Sequence, residues 1–311
     1  MTLPDPLSLR VLHHLQDLRT PALDHFALSV SGGGRGIWVL LAATLFFWFF
    51  GPRRGWRLAF ALILADLCCD GLKNLLQVPR PWLADPSILP DPAALATAPG
   101  FSFPSGHVVN ASALAFALAA EAPSRARPAA WTLAILWTAL MAFVRMALGV
   151  HTPADVLAAA LLSALAVWTT HRLFAYADRR PAVRPALLTC ALLLAALVAA
   201  AVAFCPRPPD ALRFGEDAFR AAACLAGMVL ALPLERRFVR HDPARYSPLW
   251  LAIGAILILF SLNLAVTALP AALTALFALP PFYSAILTAF LNPLLAFLLL
   301  PLLFTPLRRT P

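Results

Sequence analysis

A chain of 311 residues that is 61% hydrophobic and only 13% charged cannot cover a soluble core with polar surface, so it reads as a membrane protein. Its formal net charge of +9 comes largely from arginines in short connections between apolar runs, a pattern of membrane topology rather than of nucleic-acid binding. The five cysteines, Cys68, Cys69, Cys190, Cys205 and Cys224, have no metal-ligand spacing and read as small buried hydrophobes.

In chain order, residues 1–35 form an amphipathic segment expected to lie on the membrane surface, with no cleavable signal pattern before Gly36. "SGGGRG" (Ser31 to Gly36) lacks the Gly-Lys-Ser/Thr ending of a phosphate loop and reads as a flexible turn. Nine hydrophobic segments follow, at about 36–51, 56–76, 105–121, 129–148, 153–171, 185–205, 218–234, 248–268 and 281–304. Two are short and the second carries Asp66, Asp70 and Lys73, so counts of eight or ten are also compatible. The expected fold is all-α, a polytopic membrane helix bundle of about nine transmembrane helices. Residues 36–172 form its core and 173–311 a C-terminal extension of about four helices.

The connections at 51–57, 121–130, 172–184 and 235–246, with the C-terminal tail, carry 15 Lys and Arg. The opposite set, Arg10, Arg19, Arg35, Arg207, Arg213 and Arg220, has six. The positive-inside bias makes the richer side cytoplasmic, placing the N-terminus and Pro104–His107 outside and the C-terminus inside.

Three further cations, Lys73, Arg80 and Arg145, fall on that outer side beside Ser105, Gly106, His107, His151 and Asp155. Ionisable groups at membrane depth are costly and mark a site by default. Three cations at one face repel unless an anion sits among them, and a phosphate suits them. Plainer readings exist for each cluster. "PSGH" is compatible with an ordinary helix start capped by Ser105, and Asp66 and Asp70 can pair with Lys73 along a helix. Thr152-Pro153-Ala154-Asp155 fits a capping box, which leaves Asp155 within reach of the His151 ring. An aspartate holding one imidazole nitrogen fixes the tautomer and frees the other as a nucleophile.

Together, Lys73-x6-Arg80-Pro81, then Pro104-Ser105-Gly106-His107, then Arg145-x5-His151-x3-Asp155 resemble the type 2 phosphatidic acid phosphatase (PAP2) superfamily, which also includes glucose-6-phosphatase and the vanadium haloperoxidases. The resemblance covers about residues 35–172 and departs at Val144, where the pattern has a serine; one hydroxyl contact to phosphate is lost there. It implies a phosphohydrolase needing no metal or other cofactor. His151 would be the nucleophile, oriented by Asp155, and His107 the general acid and base. Lys73, Arg80, Arg145, Ser105 and the Gly106 N–H would bind phosphate.

The expected partner is a membrane lipid phosphate within the bilayer, such as undecaprenyl diphosphate, phosphatidic acid or phosphatidylglycerophosphate, in a bacterial inner membrane; no nucleic acid is expected. The oligomeric state is left open. A glucose-6-phosphatase-like hydrolase of a soluble ester is an alternative, and a haloperoxidase fits less well because those relatives are typically soluble. A lipid-phosphate carrier on the same scaffold is motivated by the C-terminal spans. The proline-rich loop Pro81 to Phe101 is read equally as a cover for the pocket or a plain connection.

Overall fold

The computed structural model describes residues 6–34, 36–206 and 215–307, so Arg35, Arg207, Arg213 and the terminal Arg308 and Arg309 lie outside the described residues. Among these residues there are helices and no strand. The N-terminal segment forms α1 (Pro6–Asp17) and α2 (Pro21–Ser31), followed by α3 (Gly36–Phe50) and α4 (Pro52–Leu76). Two single-turn helices, α5 (Pro81–Ala84) and α6 (Pro92–Leu95), punctuate the proline-rich loop. Then come α7 (Gly106–Glu121), α8 (Arg127–Ala147), α9 (Pro153–Arg179), α10 (Arg184–Phe204) and α11 (Glu216–Leu234). The chain ends in α12 (Pro248–Thr267), α13 (Leu269–Phe277), α14 (Pro281–Leu294) and α15 (Leu300–Leu303).

Proline explains many of these boundaries. It occupies the first turn of α2, α4, α5, α6, α8, α9, α12 and α14, where its missing N–H costs nothing and its fixed φ suits a helix. Inside α11 and α14, Pro233 and Pro293 do break the i→i−4 ladder. Each is followed by a wide π turn, Glu235–Val239 and Leu295–Leu299.

The expectation of nine spans is corrected to six helices, among the described residues, long and apolar enough to cross a membrane: Arg127–Ala147, Pro153–Arg179, Pro181–Phe204, Glu216–Arg245, Pro248–Thr267 and Pro281–Leu303. A seventh is counted if Pro21–Gly34 and Val39–Phe50, bent by 51°, make one broken span. The three that fail do so for physical reasons. α3 has 15 residues and α7 has 16, so each reaches only about 24 Å or less against a hydrocarbon core of about 30 Å. α4 is long enough at 25 residues but carries Arg53, Arg54, Arg57, Asp66, Asp70 and Lys73. α4 and α7 are instead internal helices that pack against each other and against α9.

Helix polarity sorts the molecule into two ends. At one, Arg53 pairs with Asp178 (3.0 Å), Arg57 with Glu121 (3.2 Å) and Arg184 with Asp178 (3.6 Å), joining the connections before α4, after α7 and after α9. At the same end the Trp56 indole donates to Glu235 (3.3 Å). The Trp48 indole donates to the Leu251 carbonyl (2.9 Å), docking α12 on α3. A Cβ at Gly227 of α11 would collide with the Phe290 carbonyl of α14, which explains why those two helices lie so close. The opposite end, where α4 and α8 finish and α7 and α9 begin, holds the three sequence clusters.

Candidate active site

Lys73 sits in the last turn of α4, which Gln77 closes in the left-handed conformation. The chain then turns so that Arg80, the residue before α5, points inward and is 3% exposed. Most of its donors are committed to carbonyls: Nε to Gly100 (3.0 Å), Nη2 to Pro99 (2.8 Å) and Nη1 to Val150 (3.0 Å). Nη1 also donates to His151 Nε2 at 3.1 Å. The same Nη1 is 3.5 Å from His151 Nδ1, so the guanidinium lies against the ring and within reach of both its nitrogens. Burial, with the nearby Arg80, Arg145 and Lys73 charges, holds the His151 imidazole well below its ordinary pKa. Burial likewise lowers Arg80, to about 10, opposed by the Asp155 carboxylate.

Asp155 is in the first turn of α9, where Thr152 and Asp155 form the expected capping box. Its Oδ2 accepts from the Thr152 N–H (2.7 Å) and from the Ser102 hydroxyl (2.6 Å). The same oxygen lies 3.5 Å from His151 Nδ1, beside the ring but longer than a good hydrogen bond. The Ser102 backbone favours the protonated ring, against the larger effect of burial, so Ser102 bears on both members of the His151–Asp155 pair.

Ser105 is the residue before α7, yet its side chain makes no cap hydrogen bond, unlike Thr152 at the start of α9. Its N–H donates to the Asp155 carbonyl (3.2 Å), which fastens the second cluster to the third. Gly106 faces Lys73: a Cβ there would stand 3.4 Å from Nζ. Lys73 Nζ is 3.9 Å from Asp70 Oδ1, so the helical ion pair read from sequence is present, though loose. Arg145, in the last turn of α8, is fully buried, and its Nη1 donates to Ser31 Oγ (2.8 Å) and Thr97 Oγ1 (3.4 Å).

Four buried polar atoms here have no hydrogen-bond partner among the described residues: Ser105 Oγ, His107 Nε2, and Nε and Nη2 of Arg145. Each unsatisfied donor costs about 1–3 kcal/mol, more when charged, which is the signature of groups arranged for something other than stability. Lys73, Arg80, Ser105, Gly106, His107, Arg145, His151 and Asp155 thus all gather at one end of the bundle.

Ser31, Thr97 and Ser102 were not singled out from sequence. Ser31 opens the glycine stretch read as a flexible turn, but it ends α2 and braces Arg145. Thr97 and the Pro99 and Gly100 carbonyls belong to the proline-rich loop, which is therefore a wall of the site and not a plain connection. The N-terminal helices hold that loop: His13 pairs with Asp85 (2.9 Å), Gln16 accepts from the Leu89 N–H (2.7 Å), and Arg19 donates to the Leu89 carbonyl (2.6 Å). Val144 is fully buried in the apolar core, so its position supplies no hydroxyl to the site.

A family model described as the PAP2 superfamily matches residues 54–179, which span α4 to the end of α9 and every residue of this cluster. The crystal structure of Aquifex aeolicus LpxE is similar at 24% identity and a TM-score of 0.47, over 54% of this chain and 96% of its own. No curated protein matches the chain. Residues 54–179 therefore match the PAP2 superfamily, and this match indicates a phosphatase in a chain whose described residues include six helices long and apolar enough to cross a membrane.

Proposed function

We propose that the protein removes phosphate from a membrane lipid phosphate or isoprenyl diphosphate, undecaprenyl diphosphate being the leading candidate, through a phosphohistidine on His151. The observation that carries this reading is the set of unpartnered buried donors, Ser105 Oγ with Nε and Nη2 of Arg145, beside the His151–Asp155 pair. Such a set suits the several acceptor oxygens of a phosphoryl group. Lys73 and the α7 N-terminus, with the Gly106 N–H, add to the same anion hole.

In this reading His151 Nε2 attacks phosphorus and the bond to the leaving oxygen breaks. Burial and the Arg145 charge lower the His107 imidazole pKa to about 2; the negative charge of the bound phosphate offsets those cations, and the protonated ring then delivers its Nε2 proton to that oxygen. A water, giving its proton to His107, then attacks phosphorus and the P–Nε2 bond breaks; phosphate leaves and neutral His151 is restored. Arg80 Nη1 lies 3.1 Å from Nε2, so attack requires that guanidinium to turn from the imidazole to a phosphoryl oxygen. Asp155, with Ser102 behind it, holds the Nδ1 side and stabilises the positive charge that develops on the ring. No metal takes part in these steps.

We assign residues 36–172 as the catalytic core and 173–311 as the extension. The charge asymmetry of the connections supports a site on the extracytoplasmic face of the inner membrane. Phosphate release by the full-length protein in detergent, with EDTA present, tests the reading on undecaprenyl diphosphate, phosphatidic acid, phosphatidylglycerophosphate and glucose 6-phosphate. One lipid should turn over, with an acid-labile, base-stable phosphoenzyme trapped on rapid quench, and His151→Ala should abolish both. Turnover of glucose 6-phosphate alone, or a well-folded His151→Ala that still turns over, would overturn it.

A further inference from the structure

A cavity of about 250 Å³ lies far from the catalytic cluster, among α4, α9, α10 and α11. Phe60, Leu173, Leu188 and Leu225 are among its apolar walls, and Arg184 and Arg236 are the charged residues lining it. Along α9 it is bounded by residues from Thr169 to Ala177, so its near edge is about 20 Å from Asp155 at 1.5 Å per residue. It belongs to the arginine-rich end of the bundle.

Three features give the cavity a chemistry. It opens sideways through the surface that faces lipid: Leu173 on its wall is 42% exposed, and Cys190 on its wall is the exposed cysteine. Its interior is apolar and too small for a whole lipid, but suited to part of one acyl chain. At its charged edge the cations outnumber the acids. Asp178 is shared between Arg53 Nε (3.0 Å) and Arg184 Nη2 (3.6 Å), and Glu235 next to Arg236 is turned to the Trp56 indole and the His241 N–H. The Arg184 Nε is buried without a hydrogen-bond partner among the described residues. Two guanidinium groups beside an apolar slot, at the end of spanning helices, match an anionic head joined to a hydrocarbon tail.

We propose that this cavity is a binding site for an anionic phospholipid, one acyl chain lying between α9 and α10 and the phosphodiester held by Arg184 and Arg236. The site is separate from the phosphatase centre and independent of which substrate that centre takes. Its lipid joins the catalytic core, through α4 and α9, to the extension, through α10 and α11.

The test is native mass spectrometry of the full-length protein titrated with phosphatidylglycerol or with phosphatidylcholine of the same acyl chains. Phosphatidylglycerol should bind its first site at least tenfold more tightly. The Arg184→Gln/Arg236→Gln double variant should bring the two lipids within twofold, while the exposed pair Arg172→Gln/Arg237→Gln keeps the preference. Phosphatase turnover in lipid-free detergent, unchanged in both double variants, shows that they fold. Alkylation of Cys190, in a variant with the other four cysteines replaced by alanine, should slow at least fivefold at saturating phosphatidylglycerol. Equal binding of the two lipids, a preference that survives loss of Arg184 and Arg236, a preference lost equally in the exposed pair, or an unchanged Cys190 rate would each overturn the proposal.

Discussion

Replacing Ser102 by alanine tests the reasoning about the site most directly, because Ser102 lies outside the motifs and its role rests on geometry alone. Its hydroxyl donates to Asp155 Oδ2 at 2.6 Å, and both residues are almost entirely buried. A hydrogen bond to a charged acceptor in such a place is worth about 1.5–3 kcal/mol. The Thr152 N–H remains on the same oxygen after the substitution, so Asp155 keeps its place on α9 and the fold should survive. The loss falls instead on the step in which His151 becomes positively charged and leans on Asp155. If it is expressed entirely in that step, kcat drops by roughly 10- to 150-fold, with little change in KM. Steady-state phosphate release, paired with thermal unfolding, reads both quantities. In the Asp155→Asn background the same substitution should cost far less, since the charged acceptor is already gone. A folded Ser102→Ala enzyme with kcat within twofold of the parent, or equal penalties in both backgrounds, would refute the assignment.

Three other outcomes follow from the same contacts. Ser31→Ala removes the 2.8 Å acceptor that aims Arg145, and should weaken product inhibition by inorganic phosphate about fivefold or more, with a smaller effect on kcat. Gly34→Ala places a Cβ 2.8 Å from the His107 carbonyl and 3.0 Å from its Cβ; by shifting the proposed proton donor it should lower kcat at least about tenfold, more than thermal stability accounts for. Finally, folded His151 has a lowered pKa, so below about pH 6.5 the unfolded chain binds the proton first and stability falls as pH falls. A series of thermal unfolding curves from pH 7.5 to 4.5 should show this decline, and His151→Gln should flatten it; an equally steep decline in the variant would contradict the burial argument.

The positions of the site residues were legible because each cluster adjoins a helix boundary that the sequence marks. Pro153 after Thr152 announces the start of α9, and the turn before Arg80-Pro81 ends α4. Span counting fared worse because hydropathy does not record which helices are surrounded by protein. α4 tolerates Asp66, Asp70 and Lys73 since its neighbours are α7, α9, α10 and α11. Ser31, Thr97 and Ser102 left no local trace: a lone hydroxyl has no periodicity, and their partners lie 114, 48 and 53 residues away in the chain. Ser105 went the other way. Its sequence context is that of an ordinary cap, and only the uncapped, partnerless hydroxyl separates it from Thr152.

The order of the motifs also follows from helix polarity. Lys73 and Arg145 lie in the last turns of α4 and α8, where the partial negative charge of the helix C-terminus favours a cation. Ser105-Gly106 and Thr152-Asp155 lie at the starts of α7 and α9, where free N–H groups and positive partial charge favour an anion. Interleaving two helix ends with two helix starts at one end of the bundle lets cationic side chains and N–H groups converge on one anion. Each buried cation is then partly offset by the terminus that carries it. Reversing α4 or α8 would set Lys73 or Arg145 against a positive terminus, and reversing α7 or α9 would bring helix carbonyls to this end in place of N–H groups. The arrangement therefore explains how so much positive charge can be buried at one point while four polar atoms there have no partner among the described residues, as the proposed phosphoryl site requires.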